Sequence, residues 1–147
     1  MQSTRDRVPA HTSSEVNRRI QQELAGRMRY YDEHRSEIPQ RLAVLDQEWD
    51  IERAIEANAS VLAFVGTLMA SRGDRRWLVL PALVTTFLFQ HALQGWCPPV
   101  PVLRWLGFRT SYEIEQERQA LKALRGDFQN VRTAPDGSRE ALMAAAR

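Results

Sequence analysis

The 147 residues are enough for one ordinary domain, and 20 basic against 18 acidic side chains leave a net charge of only +2, too balanced to attract nucleic acid by electrostatics alone. A single cysteine, Cys97, excludes an internal disulfide and any multi-cysteine zinc site. Lys122 is the only lysine, and such a bias toward arginine and alanine fits a GC-rich bacterial coding sequence better than phosphate chemistry.

Residues 1–12 mix Pro, Ser, Thr and charge without periodicity and read as a disordered tail. They lack the apolar stretch of a secretory signal, so this end is expected to stay in the cytoplasm. A charged helical arm follows over residues 13–54. Ser13 or Ser14 can cap it, and Val16, Ile20, Leu24 and Met28 recur every four residues as one apolar stripe. Pro39 marks a break and a restart, because proline suits the first turn of a helix and disfavours helix at the residue before it. One helix is then expected from about Pro39 to Ala70, wet over Asp46, Glu48, Asp50, Glu52 and Glu56 and wholly apolar beyond.

From Ala57 to Ser71 no side chain ionises, and from Trp77 to Val102 only His91 and Cys97 do. Two apolar runs joined by SRGDRR predict a helical hairpin with residues 55–108 as its domain. The first run is rich in the small residues that let helices approach closely in lipid. The second opens with Trp77 and nearly closes with Trp96, as aromatic belts at a membrane surface do. Trp105, Arg72, Arg75 and Arg76 join these two as interface anchors. A spanning helix wants about 20 residues to cross about 30 Å, which the second run meets. The first, from Ile55 to Ala70, covers only about 24 Å and calls for local thinning or snorkelling arginines.

Beyond the hairpin, three prolines in CPPVP rule out a continuing regular helix and point to a rigid re-entry along the interface, with Trp105 and Phe108 facing the membrane. Thr110 and Glu113 form a capping box for a charged helix over residues 109–129, which Gly126 is expected to end. Residues 130–147 read as a flexible tail with a proline turn at Ala134–Gly137 and a fraying Ala-rich helix.

Glu52-Arg53 before the first run, Gly95-Trp96-Cys97-Pro98 closing the second, and Leu106-Gly107 after it resemble the YgaP-like transmembrane domain family of bacteria. The resemblance covers roughly residues 49–108. It implies a dimeric two-helix membrane module of undefined biochemical role, found alone or fused behind a rhodanese domain. No rhodanese domain is present here, so sulfur transfer does not carry over.

Cys97 beside Pro98 is the sharpest candidate for chemistry, as a thiol that accepts persulfide sulfur or binds a soft metal. Such a role needs a depressed pKa, and Arg104 is the nearest cation in sequence. The favoured reading is instead a small apolar residue packed at a membrane boundary. Gln90, His91 and Gln94 share one side of the second helix, and Asn58, Ser60 and Thr67 on the first are the expected partners for interhelical hydrogen bonds. Glu48, Asp50, Glu52 and Glu56 read as a solvated surface. No phosphate loop, catalytic pair or metal-spaced set is visible, so neither enzyme activity nor a cofactor or metal is expected.

The sequence therefore predicts an all-α protein, a two-helix transmembrane hairpin flanked by amphipathic, charged cytoplasmic helices. It would sit in a bacterial inner membrane with both termini cytoplasmic, its partners being the bilayer, a second copy, and a cytoplasmic protein met by the charged helices, with no nucleic acid. In that orientation the arginine-rich turn breaks the positive-inside tendency. The alternative is a soluble helical oligomer with Cys97 as a redox or sulfur-carrying thiol.

Overall fold

The computed structural model describes residues 6–129 and 137–146, and every regular element among them is helical. Helix α1, Ser14–Glu33, is capped by Ser13, whose hydroxyl accepts from the Val16 amide at 3.3 Å. Its period-four stripe faces inward, with Ile20 and Leu24 buried and Val16 and Met28 half-buried. A 3-10 turn, Arg35–Glu37, leads into α2, Ile38–Gln47, where Pro39 occupies the first turn and its missing N–H leaves no carbonyl unserved.

The single helix expected from Pro39 to Ala70 is two. Helix α2 stops at Gln47, the backbone is extended at Glu48 and Asp50, and α3 runs Ile51–Ser71. Asp50 makes the restart: its carboxylate accepts from the Arg53 amide at 2.7 Å, while the Ile51 amide donates to the Arg109 carbonyl at 2.8 Å. An acid that reads as one more surface charge is thus the N-cap of the first apolar helix.

Gly73, at φ +116°, turns the chain into a 3-10 segment, Arg75–Leu78, and α4, Val79–Gln94. Pro81 lies in the first turn of α4, where proline is tolerated. Gly95 ends the helix at φ +75°, its amide reaching the His91 carbonyl at 2.7 Å. The proline-rich segment does form a helix, α5, Val100–Trp105, because Pro101 too falls in a first turn. Helix α6, Ser111–Arg125, stops at Gly126 (φ +93°) as expected, and α7 spans Gly137–Ala146.

The chain forms two compact units. The first comprises the residues up to Ile20 with Trp49–Ser111, the second Gln21–Glu48 with the chain from Tyr112 onward.

The core of the first unit is Val8, Ile51, Ile55, Cys97 and Val100, with Leu88, Leu103 and Phe108 packed against it. Val8 corrects the expectation of a disordered front end, since residues 6–12 are folded and Val8 is only 2% exposed. The segment turns through a 3-10 element, Pro9–His11, and the Asn17 side-chain amide donates to the Pro9 carbonyl at 2.8 Å. Arg104 is fully buried and stitches it down, donating to Thr12 Oγ1 (3.2 Å), Asn17 Oδ1 (3.0 Å) and the Phe108 carbonyl (3.2 Å). A guanidinium keeps its charge when buried, so it must be surrounded by acceptors, and the beginning of the chain supplies them.

The second unit is built on Ile38, Leu42, Leu45, Ile114 and Leu121, with Met28, Tyr31 and Leu124 alongside. Within it Glu117 is fully buried and accepts from Arg27 Nε at 3.1 Å and Arg41 Nε at 2.8 Å. Arg118 pairs with Asp46. The Ala-rich segment expected to fray is held instead: Ala144 is fully buried and Lys122 Nζ donates to the Ala145 carbonyl at 2.5 Å. The proline turn expected at Ala134–Gly137 lies, apart from Gly137, outside the described residues.

Candidate membrane interface

Helices α3 and α4 lie alongside one another, and Gly66 sets how close they come. A Cβ added there would stand 2.6 Å from Pro81 Cδ and 3.2 Å from both Leu80 Cβ and the Trp77 carbonyl oxygen. Only a residue without a side chain admits the pyrrolidine ring at that depth. Gly66 and Pro81 each stand seven residues from the Gly73-Asp74 turn, a symmetry that marks them as opposite one another and that composition alone hides.

The outward surfaces of the two helices carry Val61, Phe64, Leu68, Leu83, Phe89 and Leu93, all exposed, with Phe64 at 68% and Phe89 at 67%. Two helical stretches are long and apolar enough to cross a membrane, one ending at Ser71 and one spanning Arg75–Gln94, and only 17% and 6% of their most apolar windows are buried inside the chain. A core helix of a water-soluble fold would be mostly buried.

The hydroxyls of these helices and the Asn58 amide bond to carbonyls of their own helix. Asn58 Nδ2 donates to the Ala54 carbonyl (2.7 Å), Ser60 Oγ to Glu56 (2.7 Å) and Thr67 Oγ1 to Ala63 (2.8 Å), and Thr85 and Thr86 bond back in the same way. The carbonyl one turn earlier is always within reach of a short side chain, so it takes the donor that was expected to cross to the other helix. Gln90 is half-buried and Gln94 exposed. No hydrogen bond joins either of them, or His91, to Asn58, Ser60 or Thr67 among the described residues. His91 is buried, and neither ring nitrogen has a hydrogen-bond partner among those residues.

At the far end from the turn, Arg7 closes over α4. Arg7 Nη1 donates to the Ala92 carbonyl at 2.6 Å, and a Cβ on Gly95 would collide with Arg7 at 2.6 to 2.8 Å. Gly95 is therefore doubly required, by its positive φ and by this approach. Cys97 lies just beyond, 2% exposed among apolar neighbours. It lines an apolar cavity of about 220 Å³ with Ile55, Ala59, Leu62, Val84 and Leu88. Burial pushes its thiol up from the ordinary value, only partly countered by the Val100 amide, and Arg104, the cation nearest in sequence, spends its donors elsewhere. These surroundings suit a packed apolar group better than a nucleophilic thiolate.

Of the expected anchors, Trp77 and Trp105 are exposed (44% and 66%), Trp96 is half-buried, and Arg72, Arg75 and Arg76 are all exposed. Val102 and Leu106 extend the apolar surface around Trp105, whose carbonyl accepts from Arg19 at 2.8 Å. The acids before the first run have separate tasks. Asp50 caps α3, Glu52 accepts from the Ser111 amide at 3.3 Å, and Glu48 lies 3.9 Å from Arg41. No group of three or more metal-ligating side chains is found among the described residues. Comparison with family models, with curated proteins and with solved structures returned no match to this chain.

Proposed function

We propose that the chain is a non-enzymatic membrane module of the bacterial inner membrane. Residues 57–71 and 77–94 form a hairpin in hydrocarbon, and the charged helices are displayed in the cytoplasm to a protein partner. The observation that carries this reading is the outward surface of α3 and α4, where large apolar side chains stand exposed with no ionisable residue from Ala57 to Ser71. Each such side chain gains about 1.5–3 kcal/mol on leaving water, and a bilayer offers that gain to all sides of the pair at once.

Several features support the rest of the reading. The hydroxyls and the Asn58 amide within the apolar stretch bond to their own helices, which is how such groups are accommodated without water. Ile51 and Ile55 belong to the first unit's own core, so the stretch of α3 left for lipid begins near Ala57. It covers about 22 Å at 1.5 Å per residue, less than a full core, and the exposed Arg72, Arg75 and Arg76 at its end are long enough to reach the headgroups from there. The αL end at Gly95 and the buried Cys97 account for the Gly-Trp-Cys-Pro element as a helix stop and a packing residue, in keeping with the likeness to YgaP-like modules.

Alkaline carbonate extraction tests the reading. The full chain expressed in bacteria is expected to stay with the membrane pellet through the carbonate wash and to leave it only in detergent. Recovery in the soluble fraction, or a monodisperse protein in detergent-free buffer, would overturn it.

A further inference from the structure

The turn between α3 and α4 joins a cluster of exposed arginines to an apolar groove on α4. Arg72, Arg75 and Arg76 are exposed, and among the described residues none of their guanidiniums pairs with a carboxylate. The one acid in the turn, Asp74, turns its carboxylate to the Arg76 amide at 3.0 Å, so three cations and one anion leave two net positive charges on six residues. From that charged end a shallow groove of about 460 Å³ descends along α4, lined by Asp74, Arg76, Trp77, Val79, Leu80 and Leu83. Its head holds Arg76 beside Asp74, with Arg72 and Arg75 elsewhere in the same turn, and its floor, over roughly one helical turn, is hydrocarbon.

We propose that this groove binds an anionic phospholipid, its phosphate held by the arginine cluster and the upper part of one acyl chain lying along Val79, Leu80 and Leu83. Charge complementarity selects the occupant. A zwitterionic lipid brings no net charge to neutralise the cluster, and a free phosphate leaves the apolar floor empty. The inference rests on the membrane reading above, and it answers a difficulty within it. With both termini in the cytoplasm, three arginines face the opposite side, against the usual distribution, and lipid phosphates there supply the counter-charge that the chain lacks.

Full-length protein reconstituted in phosphatidylcholine vesicles, with a trace of spin-labelled phosphatidylglycerol or spin-labelled phosphatidylcholine, tests the site. The motionally restricted fraction of each label is read by electron paramagnetic resonance. The phosphatidylglycerol label is expected to be preferred by about fivefold for each arginine that reaches its phosphate. The preference falls in high salt and disappears in the triple variant Arg72→Gln, Arg75→Gln, Arg76→Gln, which alters only exposed side chains. Leu83→Gln, which leaves every charge in place, is expected to lower it at least about twofold, since the chain half of the site is then polar. A preference untouched by Leu83→Gln, or abolished by inorganic phosphate at constant ionic strength, overturns the seating of the acyl chain. Equal restriction of the two labels by a protein that still resists alkaline extraction overturns the lipid site alone, whereas a wild-type protein stripped from the vesicles by alkali overturns the membrane reading with it.

Discussion

Two glycines in the middle of helices show how differently the two units are made. Gly66 in α3 faces Pro81 so closely that no Cβ fits, whereas nothing lies within 4 Å of where a Cβ on Gly26 of α1 would stand. Within the first unit, α3 and α4 come together where a side chain is missing and leave large residues such as Phe64 and Phe89 outside the small core around Ile51 and Val100. The second does the reverse, placing Leu42, Leu45 and Leu121 inside and closing around a buried carboxylate, Glu117, that two arginines neutralise. Apolar surface is the driving force in the second unit. Along α3 and α4 of the first it lies mostly outward, and the fit between the two helices comes from shape.

The largest blow to this contrast falls on the ion triad. Glu117→Ala leaves Arg27 and Arg41 without their shared acceptor and is expected to cost about 3–5 kcal/mol, read as a lower denaturation midpoint of the detergent-solubilised protein while carbonate resistance is unchanged. If Glu117→Ala instead released the protein from the membrane, the two units could not be treated as separately stabilised. A smaller effect is expected from Gly66→Ala. The new methyl must push Pro81 away, costing about 1–3 kcal/mol as overpacking does, and measurement of helix separation by spin labels at Leu62 and Leu83 should show the pair spread. An unchanged separation would mean that Gly66 does not set it. Least of all, Gly26→Ala should raise stability, by about 0.4–1 kcal/mol, because it only removes freedom from the unfolded chain. A loss of stability in the same denaturation assay would show that Gly26 has a contact to protect.

What could be read from residues alone follows from how local each cause is. The stripe Val16, Ile20, Leu24, Met28, the restart at Pro39 and the stop at Gly126 depend on neighbours a turn away, and the structure has all three. The uncharged middle was equally plain, since charge is a property of each residue singly. Val8 was hidden because one apolar residue in a polar stretch has no period, and its burial is decided by Cys97 and Val100. Arg104 was hidden for the same reason, its acceptors being Thr12 and Asn17, far off in sequence. Asp50 was misjudged because a capping acid and a solvated acid differ only in the backbone before the helix. Of the anchors expected at the candidate site, Trp77, Trp105, Arg72, Arg75 and Arg76 are exposed and Trp96 is half-buried. The partners of Asn58, Ser60 and Thr67 were misread, since the competition between a near carbonyl and a distant one is settled by geometry that spacing does not carry.

The closure of the first unit by Val8 also fixes an order of events during synthesis. Val8 leaves the ribosome long before Val100, and domains generally fold as their parts emerge, yet the cluster that shelters Val8 is incomplete until Cys97 and Val100 have been made. Both apolar helices must therefore have been made before the segment around Val8 can dock, so that closure of Arg7 over Gly95 acts as a latch that can fall only after the second of them has been synthesised.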